Sequence, residues 1–236
     1  MQEPKGLLIT GANKGLGLEF VQQYSVKKYQ VYCCCRDLKR CDALLKIARR
    51  FPFVKVFQVD VTNEEQLAGL ADELKDKPID IIINNAGIYG PRDAHIGAEP
   101  ISAASMLEVF NTNAVAPLKV TEAFIPNLCL GKDRKVVAIS SEMGSISGNS
   151  SGGSPAYRAS KAALNAIMKT MALDLGGELG IKVLMLHPGW VKTDMGTDAA
   201  PLSPEESVSG MITVIDNFDG SKNGQFLSYK GEELPW

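Results

Sequence analysis

The chain has 236 residues, 45% of them hydrophobic, with 25 Lys and Arg against 27 Asp and Glu and a formal net charge of -2. That length suits a single domain over residues 1–236 with a substantial core, and the interspersed charges leave no basic stripe for nucleic acid. No apolar run approaches the ~20 residues needed to cross a bilayer, and the first residues lead straight into a strand-like segment without a secretory signature, so a cytoplasmic location is expected.

Short β-branched runs fall at 6–10, 30–35, 54–59, 79–84, 135–140, 182–187 and 225–228, with stretches of helical period between most of them. Leu16, Phe20, Val21 and Tyr24 share one helix face; Leu67, Leu70 and Leu74 share another. Strict alternation of strand and helix implies an α/β fold: a Rossmann-type, doubly wound, mostly parallel seven-stranded sheet with helices on both faces. Its connections should be right-handed crossovers. Residues 144–154 are rich in Gly and Ser and read as a loop after a strand.

The first strand runs into Thr10-Gly11-Ala12-Asn13-Lys14-Gly15-Leu16-Gly17, and a helix follows. Glycine is needed where a backbone turns tightly and approaches a phosphate. The helix start then offers free N–H groups and a positive dipole end to a pyrophosphate. The spacing is Gly-x-x-x-Gly-x-Gly; the Gly-x-Gly-x-x-Gly pattern belongs to a different branch of dinucleotide binders.

The second strand carries Cys33, Cys34 and Cys35. Strand side chains alternate faces, so three adjacent cysteines cannot converge on one metal, and they read as small hydrophobes. Cys41 and Cys129 lack metal-ligand spacing, with only two histidines in the chain, and no metal site is expected. In NAD enzymes an acidic residue roughly 20 positions past the glycines binds the ribose 2′-hydroxyl. Here that position is near the neutral Cys35, and Arg36 follows at once. Arg36 with Lys14 would attract a 2′-phosphate, favouring NADP(H) over NAD(H), unless Asp37 neutralises Arg36.

Ser154-Pro155 reads as a helix start, with Ser as N-cap and Pro in the first turn. Tyr157 and Lys161 then stand at i and i+4 on one face. A phenol has a pKa near ~10, and a neighbouring ammonium should lower it, letting the pair exchange a proton with a carbonyl or alcohol oxygen. A strand ending in Ile139-Ser140-Ser141 reaches the carboxyl edge of the sheet, where open α/β sheets bind ligands. Asn84-Asn85-Ala86-Gly87 and His187-Pro188-Gly189-Trp190 end strands on the same edge.

Taken together, Thr10 to Gly17, Asp60-Val61, Asn84 to Gly87, Asn113, Ser141, Tyr157 with Lys161, and Pro188-Gly189 resemble the short-chain dehydrogenase/reductase family over nearly the full chain. Leu186 to Met195 and the closing Leu234-Pro235-Trp236 look most like its sniffer-type carbonyl reductases and C-factor-like proteins. The resemblance implies Tyr157 as general acid in reduction, and Lys161 as the cation that tunes it and holds the nicotinamide ribose. It implies Ser141 as the hydroxyl that orients the carbonyl and steadies the oxyanion, and Asn113 as holder of a relay water. Ser141 is preferred to Ser140, and Asn113 to Asn111, because they fit the family pattern. Gly11, Asn13, Lys14, Gly15, Leu16, Gly17, Arg36, Asp60, Val61, Asn85, Ala86, Gly87, Pro188, Gly189, Val191 and Thr193 would contact the cofactor, Asp60 and Val61 at the adenine, Val191 and Thr193 at the carboxamide. His187 reads as a packed histidine, and residues 190–204, with Lys192 and Asp194, as a lid.

Ile88, Tyr89, Met143 and Trp190 suggest an apolar wall for a small carbonyl or alcohol substrate. The resemblance also implies a homodimer or homotetramer built through helices near 113–127 and 155–175. A rival expectation is a signalling or dinucleotide-binding regulatory protein with little turnover, in the manner of the C-factor-like relatives.

Overall fold

Every residue of Gly6–Thr10 (β1) is buried, as a strand covered on both faces must be. The computed structural model describes residues 4–92, 94–98 and 100–236. In chain order the other strands are β2 (Gln30–Cys35), β3 (Val54–Gln58), β4 (Ile81–Asn84), β5 (Lys135–Ile139), β6 (Lys182–His187) and β7 (Gln225–Ser228). All pair in parallel in one seven-stranded sheet of order β3-β2-β1-β4-β5-β6-β7. The order reverses between β1 and β4, so the connections leave these two strands in opposite directions and open a crevice beyond their carboxyl ends.

The helices are α1 (Gly15–Val26), α2 (Asp42–Arg50), α3 (Glu64–Glu73), α4 (Ala103–Phe110), α5 (Ala116–Ala123), α6 (Ile125–Leu130), α7 (Pro155–Gly176) and α8 (Pro204–Asp216). Strand residues alternate between two core layers, which is the period of two made visible. Leu8, Ile82 and Val136 pack with Leu67, Leu70 and Leu74, and with Leu164 and Met168 of α7. Leu7, Ile9, Ile81, Ile83 and Val137 face Phe20, Val21 and Tyr24 of α1 and Met211 and Ile215 of α8. Cys33 and Cys35 join the second layer and Cys34 the first, all as buried free thiols.

Two local expectations are corrected. The strand predicted over 79–84 begins only at Ile81, because the Ile79 amide donates to the Asn127 carbonyl on α6 (3.1 Å) instead of joining a ladder. Ser154 precedes α7 but does not cap it with its side chain: it sits at φ 48°, a left-handed conformation, and its hydroxyl pairs with the Tyr89 hydroxyl at 3.0 Å. Among the described residues, no helix is long and apolar enough to cross a membrane.

Candidate active site

The first βα turn is built for close backbone approach. Gly11 and Gly15 have φ of 64° and 53°, values that a side chain disfavours. A Cβ on Gly17 would lie 2.1 Å from the Gly11 carbonyl oxygen and 2.6 Å from Asn85 Nδ2. Asn85 Nδ2 donates to the carbonyls of Thr10 (3.0 Å) and Gly11 (3.1 Å), and the amides of Asn85 and Ala86 both donate to Thr10 Oγ1. Asn85 and Ala86 therefore brace the glycine turn from β4. Leu16 enters α1 half-buried, and the helix start is preceded by extended Lys14 with no side-chain cap, leaving first-turn N–H groups for a ligand.

At the end of β2, Arg36 is exposed. Among the described residues Asp37 makes no ion pair with it: its carboxylate accepts the Lys39 amide at 3.0 Å, capping the turn Leu38–Arg40. Lys14, by contrast, is not free. Its ammonium meets Asp194 at 2.6 Å, and this exposed ion pair holds the Asp194 carboxyl below its ordinary range. Sequence reasoning missed Arg40, whose carbonyl accepts from Asn13 Nδ2 at 3.2 Å and whose charge also acts on Asp194. Four residues beyond Arg36, Arg40 was visible as a second cation on the same short turn. Further along the crevice, Asp60 Oδ1 accepts from the amide and hydroxyl of Thr62, and Val61 is buried beside it.

The catalytic candidates converge where β4, β5 and α7 meet. Tyr157 and Lys161 are both buried on the first turns of α7. Ser140 and Ser141 diverge: Ser140 donates to Asn165 Oδ1 at 2.6 Å, away from the crevice, while Ser141 turns toward the phenol and accepts the Met143 amide at 3.1 Å. Gly87 fits between the partners, since a Cβ there would lie 3.2 Å from Asn113 Oδ1 and 3.8 Å from Lys161 Nζ.

The expected tuning of the phenol is corrected. Burial pushes the Tyr157 hydroxyl up to about 12, the Ser141 hydroxyl pulls the other way, and the neighbouring Tyr89 phenol adds a smaller upward push. Lys161 does not lower it, because its ammonium donates to the Ile139 carbonyl at 2.8 Å and stands 5.7 Å from the Tyr157 ring centroid. Helical spacing gave the shared face but not the burial, and burial disfavours both charged forms.

The same burial lowers Lys161 from 10.5 to about 8. Below pH 8 the lysine is charged in folded and unfolded chains alike, so the folded state bears the full cost of the buried cation. Between about 8 and 10.5 the folded chain releases its proton first, and that cost fades as pH rises. The unfolding free energy of Lys161→Met minus that of the wild type should therefore fall by about 2–3 kcal/mol from pH 7 to pH 10. Urea unfolding at the two pH values measures it; a constant difference would contradict the assignment.

Asn113 sits on a π turn (Asn111–Val115) that joins α4 to α5, a distortion that recurs at functional sites. Its side chain is committed to the protein: Oδ1 accepts the Ile88 amide (2.8 Å), and Nδ2 donates to the Ile88 carbonyl (2.8 Å) and to Ser160 Oγ (3.0 Å). It thus fixes the loop after β4 to α7 with both Nδ2 hydrogens used, and the second lone pair of Oδ1 is left to accept from a water. Tyr89 stacks on Tyr157 with centroids 4.5 Å apart, and Arg92 lies over the Tyr89 ring at 5.2 Å.

At the end of β6, His187 is largely buried, which lowers its pKa, and Glu142 at 3.6 Å pulls it the other way. Gly189 takes φ 81°, and the Pro188 carbonyl accepts from Ser207 on α8 at 2.6 Å. Val191 is buried and bridges to Leu202, and Thr193 Cγ2 would lie 3.4 Å from a Cβ on Gly15, so this segment rests on the glycine turn. Arg92 holds the carbonyls of Asp194 and Met195, and Trp190 donates to the Gly196 carbonyl at 2.6 Å. Of the expected wall, Tyr89 and Met143 meet directly, Tyr89 Oη lying 3.7 Å from Met143 Sδ, whereas Trp190 is 56% exposed.

This arrangement has relatives. Residues 5–202 match the family model of the short chain dehydrogenases. The C-signal of Myxococcus xanthus is 44% identical over 159 residues, which cover 67% of this chain and 93% of that protein. An uncharacterised oxidoreductase of Schizosaccharomyces pombe is 32% identical over 98% of both chains. Among solved structures, the carbonyl reductase Sniffer of D. melanogaster superposes with a TM-score of 0.92 at 33% identity, over 99% of this chain and 100% of that one. An NADPH-bound carbonyl reductase from chicken fatty liver gives 0.90 at 34% identity over the whole of both chains. The chain belongs to the short-chain dehydrogenase family of oxidoreductases.

Proposed function

We propose that this protein is an NADP(H)-dependent carbonyl reductase, acting as one domain on a small carbonyl compound. The observation that carries the reading is the buried Tyr157 phenol, with the Ser141 hydroxyl beside it, at the same sheet edge as the glycine turn. A phenol held up to about 12 keeps its proton at neutral pH, so it suits a donor to a carbonyl oxygen, which is the reductive direction. Ser141 supplies a second donor where negative charge gathers on that oxygen. Lys161, one turn further along α7, would hold the nicotinamide ribose beside the phenol. The stacked Tyr89 ring keeps Tyr157 in place and shields it from water.

The residues present fit a dinucleotide. Gly11 and Gly17 leave no room for a Cβ against Ala86 and Asn85, so the turn closes tightly onto α1, whose uncapped start offers its N–H groups to a pyrophosphate. Gly11, Asn13, Lys14, Gly15, Leu16 and Gly17 would hold that group, Arg36 and Arg40 the 2′-phosphate, Asp60 and Val61 the adenine, and Tyr157, Lys161, Val191 and Thr193 the nicotinamide half. When bound, NADPH supplies the hydride. The NADPH-bound relative at 34% identity supports this choice of cofactor. Arg36→Ala should weaken NADPH binding by roughly tenfold or more, through loss of a charge-assisted phosphate contact, and leave NADH binding almost unchanged. Fluorescence titration with both nucleotides measures this; equal losses for the two would sink the 2′-phosphate assignment.

The test of the function is NADPH consumption against a panel of quinones, aldehydes and diketones, chosen because Tyr89 and Met143 offer an apolar wall. A second reading, a dinucleotide-binding signalling protein, is favoured by the 44% identity to the C-signal. Tight NADPH binding with no turnover on any compound would select it. The exposed Leu173 on α7 supports assembly as a homo-oligomer through the expected helix at 155–175, whereas the exposed Leu107 and Phe110 lie on α4, outside the expected 113–127.

A further inference from the structure

Cys35 closes β2, and Cys41 precedes α2. Between them the chain makes the single turn Leu38–Arg40, capped by Asp37. The turn brings the two sulfurs back to 2.8 Å from each other, and both thiols are free. A disulfide needs about 2.05 Å between sulfurs, so a small further approach would join them. Cys34 is set apart by facing the opposite core layer.

The position of this pair gives it a consequence. Arg36 follows Cys35 directly and Arg40 directly precedes Cys41. The Arg40 carbonyl is held by Asn13 of the glycine turn, and the Asp37 carbonyl accepts the Cys41 thiol at 3.1 Å. The pair is buried at the second core layer, and the turn that joins the two cysteines is exposed at Arg36, Leu38, Lys39 and Arg40.

We propose that Cys35 and Cys41 form a reversible intramolecular disulfide, an oxidative modification site that fastens the loop carrying Arg36 and Arg40 and thereby weakens the grip on the phosphate end of NADPH. The oxidant class is a hydroperoxide. Cys41 Sγ attacks one peroxide oxygen as the O–O bond breaks, and the other oxygen leaves with the thiol proton as water or an alcohol. The resulting sulfenic acid is attacked by Cys35 Sγ; the S–S bond forms, the S–O bond breaks, and the Cys35 proton leaves with the oxygen as water. The two sulfurs together give up the two electrons that the O–O bond takes. Burial pushes the Cys35 thiol up to about 12, which keeps it protonated at rest and assigns it the second step. The bond removes the thiol donor from the Asp37 carbonyl and draws Arg40, with the Asn13 contact, toward β2. A dithiol reductant reverses it.

The modification is independent of the cofactor reading, whereas its effect on NADPH rests on that reading. The full chain is treated with hydrogen peroxide, the remaining thiols are blocked with iodoacetamide, and the protein is cut with trypsin. Cleavage after Lys28, Arg36, Arg40 and Lys46 separates residues 29–36 from 41–46. The expected product is these two peptides joined, with fragmentation placing the link on Cys35, reversed by dithiothreitol and absent in Cys41→Ser. The oxidised chain should bind NADPH at least about fivefold more weakly than the reduced chain, with NADH affinity held within about twofold. Alkylation of both cysteines after oxidation, a link to Cys33 or Cys34, or a cross-linked chain that binds NADPH undiminished would overturn the proposal. Reduced protein that binds NADPH no better than NADH would instead overturn the cofactor reading and leave the peptide result intact.

Discussion

Tyr157→Phe should lower kcat for carbonyl reduction by roughly 10²–10⁴-fold, the range that general acid catalysis by a placed side chain contributes. The ring is buried and stacked on Tyr89 at 4.5 Å, so phenylalanine keeps the packing and removes only the hydroxyl. NADPH affinity should therefore hold within about twofold, because the substitution removes one hydroxyl from a surface made by many groups. The separation is diagnostic. A parallel loss of nucleotide binding would mean that the phenol is structural, and a retained kcat would mean that another group protonates the product. His187 is the histidine at this sheet edge, but burial lowers its pKa, so it carries little charge at neutral pH.

Gly17→Ala should damage both the nucleotide site and the fold. Its new Cβ would meet the Gly11 carbonyl oxygen at 2.1 Å and Asn85 Nδ2 at 2.6 Å. The first of these is backbone, which cannot swing aside, so α1 must separate from the turn. Overpacking of this kind costs about 1–3 kcal/mol, a fall in melting temperature of roughly 2–12 °C for a chain of this size. NADPH affinity should fall by roughly 100-fold or more, since the helix start and the turn must sit together to receive a pyrophosphate. Gly69→Ala is the control: nothing lies within 4 Å of its Cβ on the exposed face of α3, and the helix should gain about 0.5–1 kcal/mol. Equal melting temperatures and equal affinities for the two variants would contradict the role given to the cradle.

The sheet was legible because its signals are local. The β-branched runs, the glycines after β1 and the strand-ending motifs can each be read within a few consecutive residues, and the family pattern then supplies the crevice. What the sequence did not show depends on contacts between distant segments. Lys14 reads as a phosphate-binding cation, yet its partner Asp194 lies 180 residues away and only the folded chain joins them. The i, i+4 spacing puts Lys161 on the Tyr157 face but cannot tell how dry that face is, and dryness sets the direction of both pKa shifts. Ser154 has the composition of a helix cap, but its positive φ turns the hydroxyl to Tyr89. Cys35 and Cys41 match no regular period, and a one-turn helix brings them together.

In the proposed reaction hydride passes from NADPH to a carbonyl carbon while Tyr157 delivers the proton. Reduction of a responsive aromatic aldehyde or diketone with NADPH deuterated at the transferring C4 position tests it directly. The product should carry a single deuterium on the new carbinol carbon, in one configuration, with one NADPH consumed per alcohol formed, and Tyr157→Phe should form almost none. Bound NADPH that is never oxidised, or an alcohol without deuterium, would contradict it.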